Sequence, residues 1–462
     1  MLESLGYHIT TLSDVICGLP LFLTLIGGGV WLFFTSHAVS IHRLPYAIKA
    51  IKTRSDSHGE INSLQALASV VAGTIGMGNI AGVTIAIAMG GPGAIFWMWI
   101  SALVGMCTKY HEGVLSIMYR SISSDGTYQG GTMHIIQHGL GKRWIPMAKF
   151  FAIAGMFGTL CIMNANQLTE ATIATASNFA VIESPLLAKL LTGITISLLV
   201  AIVVLGGITR ISRVATVLVP FMVATYFIMV LYIIVSNIDN LGHVFSSIFT
   251  EAFSLDAGWG ALAGIAIIGA RRAALVNDAG IGTASIMHGK SSNNEPVREG
   301  LVAMLGPAID SGFVCTLTAI AVLLCLPSDY FQVGTIQGLE MALKAFGNGI
   351  PYGQYLLMVI VACFALSSMF SYSFYGQRCA AYLMGERGAK VYTYLFISSL
   401  VLFSVVPLKS AVGLCDLFYA FMAFPTMLTL IMLRKKVREQ SQIYFKSHTL
   451  NKHSILKPKI QI

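Results

Sequence analysis

Two stretches of this chain place glycines where an apolar helix would otherwise run, and each could open backbone to a ligand. The first reads Ala72-Gly73-Thr74-Ile75-Gly76-Met77-Gly78-Asn79-Ile80-Ala81-Gly82. A glycine costs a helix interior about 1 kcal/mol relative to alanine, so Gly76, Gly78 and Gly82, with Asn79 among them, predict a break. A half-helix beginning after Gly78 would present free N–H groups and a positive dipole end, which suit a carboxylate. Carbonyls released before the break would suit a hard cation such as sodium. The second stretch runs from Gly258 to Gly269 with Gly264 at its centre, the candidate substrate contact of that segment. Gly78 and Gly82 also form a small-xxx-small pair, so close helix packing is the competing reading.

Hydroxyls and amides add to the inventory. Ser367 and Ser368 lie together in an apolar stretch, where two adjacent oxygens could complete a cation shell or bond back to the preceding helical turn. Asn164, Asn166, Gln167 and Glu170 share one stretch, and Asp310 lies in another. Polar groups at membrane depth face a cavity or a partner helix. Glu170 and Asp310 could bind a cation, relay a proton, or form structural hydrogen bonds. Enzyme chemistry is not indicated. His111-Glu112 lacks the second histidine of a metalloprotease motif, no Walker A sequence occurs, and no nucleophile–base set stands out. The eight cysteines lie singly, which argues against zinc and redox motifs.

The elements that must position these residues are membrane spans. Of 462 residues 55% are hydrophobic and 11% charged, with a mean hydropathy of +0.75. A soluble surface needs roughly 25% charge. Apolar stretches at 15–35, 63–90, 93–118, 146–178, 186–207, 213–236, 257–285, 299–326, 354–375, 392–407 and 411–433 predict an all-α polytopic protein of about eleven transmembrane helices. The sequence divides into an N-terminal helix and linker (1–62), a ten-helix core (63–433) and a basic tail (434–462) that looks dispensable after about 440. With the N-terminus outside, all but Lys189, Lys344 and Lys409 of the 29 Lys and Arg residues fall on the cytoplasmic side. That distribution assigns the net charge of +9 to a stop-transfer flank near anionic membrane lipid, with no nucleic acid as partner. No cleavable signal peptide is evident. Ten core spans divide into five plus five of opposite topology, and the two glycine-rich stretches then begin the two halves.

The motifs resemble one family. Gly73 through Gly82, then Gly90-Gly91-Pro92-Gly93-Ala94 and Phe96-Trp97-Met98-Trp99, are similar to the signature of the alanine-or-glycine:cation symporters. So are Asp125-Gly126-Thr127-Tyr128 with Gly130-Gly131, Asn277-Asp278-Ala279-Gly280-Ile281-Gly282, Pro296-Val297-Arg298, Leu305-Gly306-Pro307 with Asp310, and Tyr375-Gly376-Gln377-Arg378-Cys379. The resemblance implies a leucine-transporter-like 5+5 inverted-repeat core plus one N-terminal helix. It implies sodium-driven import of a small neutral amino acid across a bacterial or archaeal inner membrane. Sodium is then the coupling ion, with no cofactor and no obligate protein partner.

By the same resemblance, N–H groups near Met77 and Gly78 receive the substrate carboxylate. Gly76, Asn79, Asn164, Gly264 and Tyr372 complete the substrate site. Carbonyls of Ala72 and Ile75 with Ser367 and Ser368 hold one sodium, and Thr74 and Asn79 help with a second. Four positions depart from the family: Met77 stands for a usual threonine, Asn164 for glutamine, Val276 for serine and Tyr372 for tryptophan. The alternatives are a proton-coupled carrier of another neutral amino acid and a non-transporting amino-acid sensor. The second would need a larger cytoplasmic output domain than the short connections provide.

Overall fold

The computed structural model describes residues 11–13, 15–52, 61–123, 126–177, 183–253, 259–331 and 338–455. They are helical almost throughout, and Ser121–Ile122 pairs antiparallel with Tyr128–Gln129 in a short hairpin. Among the described residues, six helices are long and apolar enough to cross a membrane alone: Lys142–Ala176, Pro185–Val204, Gly207–Ser236, Pro296–Cys325, Gly353–Phe403 and Gly413–Ser447. A seventh span is the pair Ser63–Thr74 and Gly78–Gly90, bent by 56° at the first glycine-rich stretch. By this measure eleven spans are not reached. Leu19–Thr35 is a shorter apolar helix, and Ala94–Met118 and Trp259–Val276 are helices of 25 and 18 residues that this measure does not count. Gly353–Phe403 is two helices joined at Gly385, whose φ of 73° is left-handed, and it contains most of the expected stretches 354–375 and 392–407.

The bent span lies at the centre. An Asn62–Gln65 capping box starts it: Asn62 Oδ1 accepts from the Gln65 N–H at 2.8 Å, and Gln65 Oε1 accepts from the Asn62 N–H at 2.9 Å. Ser63–Thr74 then buries nine of its 12 residues, packed between Gly207–Ser236 and Gly353–Phe403. The periphery is the reverse. Pro185–Val204 turns Leu186, Leu191, Leu198 and Ile202 outward, an apolar face that only lipid would solvate.

Three features depart from the sequence reading. Trp259–Val276 is one helix, so Gly264 sits inside a turn and marks no break; the second interruption falls at 277–282. A glycine costs a helix only about 1 kcal/mol and can be carried within one, whereas Asp278, Gly280 and Gly282 adopt positive φ and cannot continue one. A further break divides Lys142–Ala176 at Cys161, left-handed at φ 54°, where an unbroken span was expected. Finally, the helix beginning at Leu408 runs through residue 433 to Ile455, so the basic tail continues the last span.

Candidate substrate and cation site

At the central bend Ile75 is extended (φ −70°, ψ 95°) between Thr74 and Gly78. The Asn79 carboxamide holds this geometry. Its Oδ1 accepts from the Gly76 N–H at 2.9 Å, and its Nδ2 donates to Asp310. Asn79 is fully buried and its side chain is committed to these bonds, so it braces the break behind the cavity wall.

A cavity of about 80 Å³ lies against the break. Gly76, Met77, Gly78, Asn164 and Tyr372 line it, together with Thr74 and Ser368. Five of the seven residues expected to contact substrate are thereby brought together; Asn79 stands behind the wall, and Gly264 lies elsewhere on its helix. Sequence reasoning missed part of the wall. Arg272 and Val276 come from the helix that ends at the second break, Asp416 and Tyr419 from the last span, and Cys161 from the unforeseen interruption. Arg272 and Asp416, of opposite charge, both line the cavity. The left-handed Cys161 sets the start of Ile162–Ala176, which carries Asn164 and Gln167 to the cavity. Their neighbour Asn166 turns away to the carbonyls of Phe403 and Val406, and Glu170 pairs with Lys189 at 2.5 Å. Both are structural contacts in this arrangement.

Behind the cavity four oxygens converge. Ser367 Oγ donates to the Ala72 carbonyl at 3.1 Å and to the Phe364 carbonyl at 2.9 Å; for Ser368 Oγ the distances are 3.4 and 3.1 Å. Each serine therefore bonds back one turn, as the structural reading expects, and also reaches across to the broken span. Each hydroxyl has a single proton to share between two carbonyls, so oxygen lone pairs outnumber donors here. Uncharged hard oxygens of this kind suit a small hard cation. Ile75 is fully buried at the break itself. Thr74 and Asn79 meet Asp310 in a second polar cluster, where Asp310 Oδ2 has no hydrogen-bond partner among the described residues.

The second break is also braced. Glu112 Oε1 accepts from the Gly280 N–H at 2.7 Å, Thr283 Oγ1 donates to Asp278 at 3.1 Å, and the Tyr372 hydroxyl donates to the same carboxylate. Tyr372 thus touches both the cavity and the second interruption.

A family model for the sodium:alanine symporter family matches residues 2–458. The chain belongs to that family. It is 34% identical to the sodium/alanine symporter AgcS of Methanococcus maripaludis, over 94% of this chain and 96% of that one. It is 26% identical to the probable sodium/glutamine symporter GlnT of Bacillus subtilis, over 95% of this chain and 90% of that one. Among solved structures, MhsT in complex with L-phenylalanine aligns with a TM-score of 0.53 at 16% identity, over 83% of this chain and all but 2% of that one. At that identity the match speaks for the fold alone, which is of the leucine-transporter kind. The chain is therefore a multi-pass membrane transporter and not an enzyme.

Proposed function

We propose that this protein imports a small neutral amino acid, alanine, glycine or similar, by symport with sodium. The observation that carries the reading is the shared wall between cavity and oxygen cluster. Ser368 borders the cavity and also reaches the Ala72 carbonyl, and a Cβ on Gly76 would stand 2.5 Å from its Oγ. A cation among Ala72, Ile75, Phe364, Ser367 and Ser368 draws Gly353–Phe403 onto the broken span and so completes the cavity. Substrate in turn closes the same contact from the other side. Each ligand binds better when the other is present, which is the energetic content of coupling.

Size argues for a small substrate. One water needs about 10–15 Å³ by this measure, so the 80 Å³ cavity offers about as many positions as alanine has heavy atoms. The carboxylate is received at the N–H groups of Met77 and Gly78, where the second half-helix begins. Thr74, Asn79 and Asp310 form the second cation position. Asp310 is also the group a proton-coupled carrier would use, and replacing sodium in the uptake assay separates the two.

The departures from the family set selectivity. Tyr372 is smaller than tryptophan and Asn164 is one methylene shorter than glutamine, while Met77 fills part of the space gained. Serine or threonine should therefore compete appreciably with alanine. Tyr372→Trp should shift preference back towards glycine and alanine, within the ~1–3 kcal/mol that one methylene commands. Competition against labelled alanine uptake measures this, and identical inhibition profiles would remove residue 372 from the pocket.

In the cell the chain lies in the inner membrane with its N-terminus outside and its C-terminus in the cytoplasm. A reporter fused after Arg438 should be cytoplasmic and one at the N-terminus external. Both ends on one side would require an even number of spans.

A further inference from the structure

A second cavity, of about 830 Å³, shares no lining residue with the transport site. It opens between the end of Leu19–Thr35 and the last helix, Leu408–Ile455. Its lining includes His37, His42, Arg43, Arg434, Arg438 and Lys446, and no carboxylate among the described residues. The one acidic residue on the adjoining turn, Glu439, is paired with Lys436 at 3.6 Å and lies outside the lining.

The cavity has a built frame. His37 and Ala38 are left-handed, at φ 56° and 51°, and turn the chain sharply after Thr35. Arg43 stacks 4.0 Å over the Phe445 ring, and Tyr110 and Ser441 share a 2.7 Å hydrogen bond across the floor. Both walls change from apolar to basic at one level: Thr35-Ser36-His37 follows an apolar helix, and Arg434 follows Leu433. Just above that level Trp31 and Phe34 are exposed, 52% and 71%, and the Arg434 guanidinium lies 5.9 Å from the Trp31 ring. An exposed tryptophan beside an arginine is what the membrane–water boundary selects.

We infer that this cavity is a binding site for the phosphate headgroup of an anionic phospholipid, whose acyl chains lie along the exposed faces of Trp31 and Phe34. A concentration of positive side chains, with no carboxylate among the described lining residues, calls for an anion, and a basic pocket between helices at the boundary fits a lipid phosphate. A free phosphate shares that chemistry but would leave the apolar rim without a role. The inference does not depend on which amino acid is carried.

The test is native mass spectrometry of the full chain in detergent, titrated separately with phosphatidylglycerol, cardiolipin, phosphatidylcholine and inorganic phosphate. The two anionic lipids should be retained in preference to phosphatidylcholine. Each arginine removed should weaken them roughly fivefold, so Arg434→Gln with Arg438→Gln costs about 30-fold. Lys436→Gln, on the same helix outside the cavity, should leave binding unchanged. If the double variant is not monodisperse, Arg438→Gln alone carries the fivefold test. Equal retention of phosphatidylcholine, or undiminished binding by the arginine variants, would overturn the assignment. So would displacement of the lipid by millimolar inorganic phosphate, which would make the site one for a free anion.

Discussion

Gly78→Val is expected to abolish amino-acid uptake while the protein still inserts and purifies as a monodisperse species. Gly78 lines the cavity where the second half-helix starts, and a Cβ there would stand 3.1 Å from Val276 Cγ2 on the opposing wall. Valine adds two further methyl groups, which must enter the cavity or drive the walls apart. Either outcome denies a carboxylate its approach to the backbone N–H groups. Insertion depends on overall apolarity, which the change preserves. A relief experiment distinguishes site loss from misfolding. Gly78→Ala should be severely impaired, and adding Val276→Ala should restore part of its uptake by removing the methyl it meets. Wild-type transport by Gly78→Val would assign the glycine to helix packing.

The second large effect is on the cation. Ser367→Ala combined with Ser368→Ala removes two of the oxygens that converge with Ala72 and Phe364. An interaction of a neutral oxygen with a charge contributes about 1.5–3 kcal/mol. The sodium concentration for half-maximal uptake should therefore rise at least about tenfold. Alanine is the best helix former, so the span itself should persist. Substrate affinity measured at saturating sodium should change far less than sodium affinity. Unaltered sodium dependence would leave the serines as helix-bonded structural groups.

The parts of this architecture legible in the sequence are those where residue type is itself the signal. Gly76, Gly78 and Asn79 interrupt an otherwise apolar span, and the structure bends there. Ser367 and Ser368 are conspicuous for their hydroxyls, and they do face the broken span. Backbone contributions are different. The Phe364 carbonyl joins the oxygen cluster, but a carbonyl belongs to every residue and only the helix phase brings this one to Ala72. Gly264 shows the converse error, because a packed helix tolerates glycines at about 1 kcal/mol each and the actual break lies at Asp278–Gly282. There the Asn-Asp-Ala-Gly-Ile-Gly run adopts positive φ at Asp278, Gly280 and Gly282, which a motif match does not reveal. Cys161 gave no warning, since a left-handed cysteine is rare and depends on its surroundings. Nor could sequence alone show that Asn79 turns from the cavity to Asp310, or that Tyr372 reaches Asp278, because both pairings join segments distant in the chain.

The central claim is coupling of amino-acid movement to sodium, and uptake of labelled alanine into proteoliposomes tests it most directly. With sodium outside and potassium inside, alanine should accumulate above its equilibrium level, with unlabelled glycine competing. Collapse of the sodium gradient should abolish accumulation but not exchange. Accumulation of equal size in sodium-free medium under an inward proton gradient would contradict the account and transfer the coupling to Asp310.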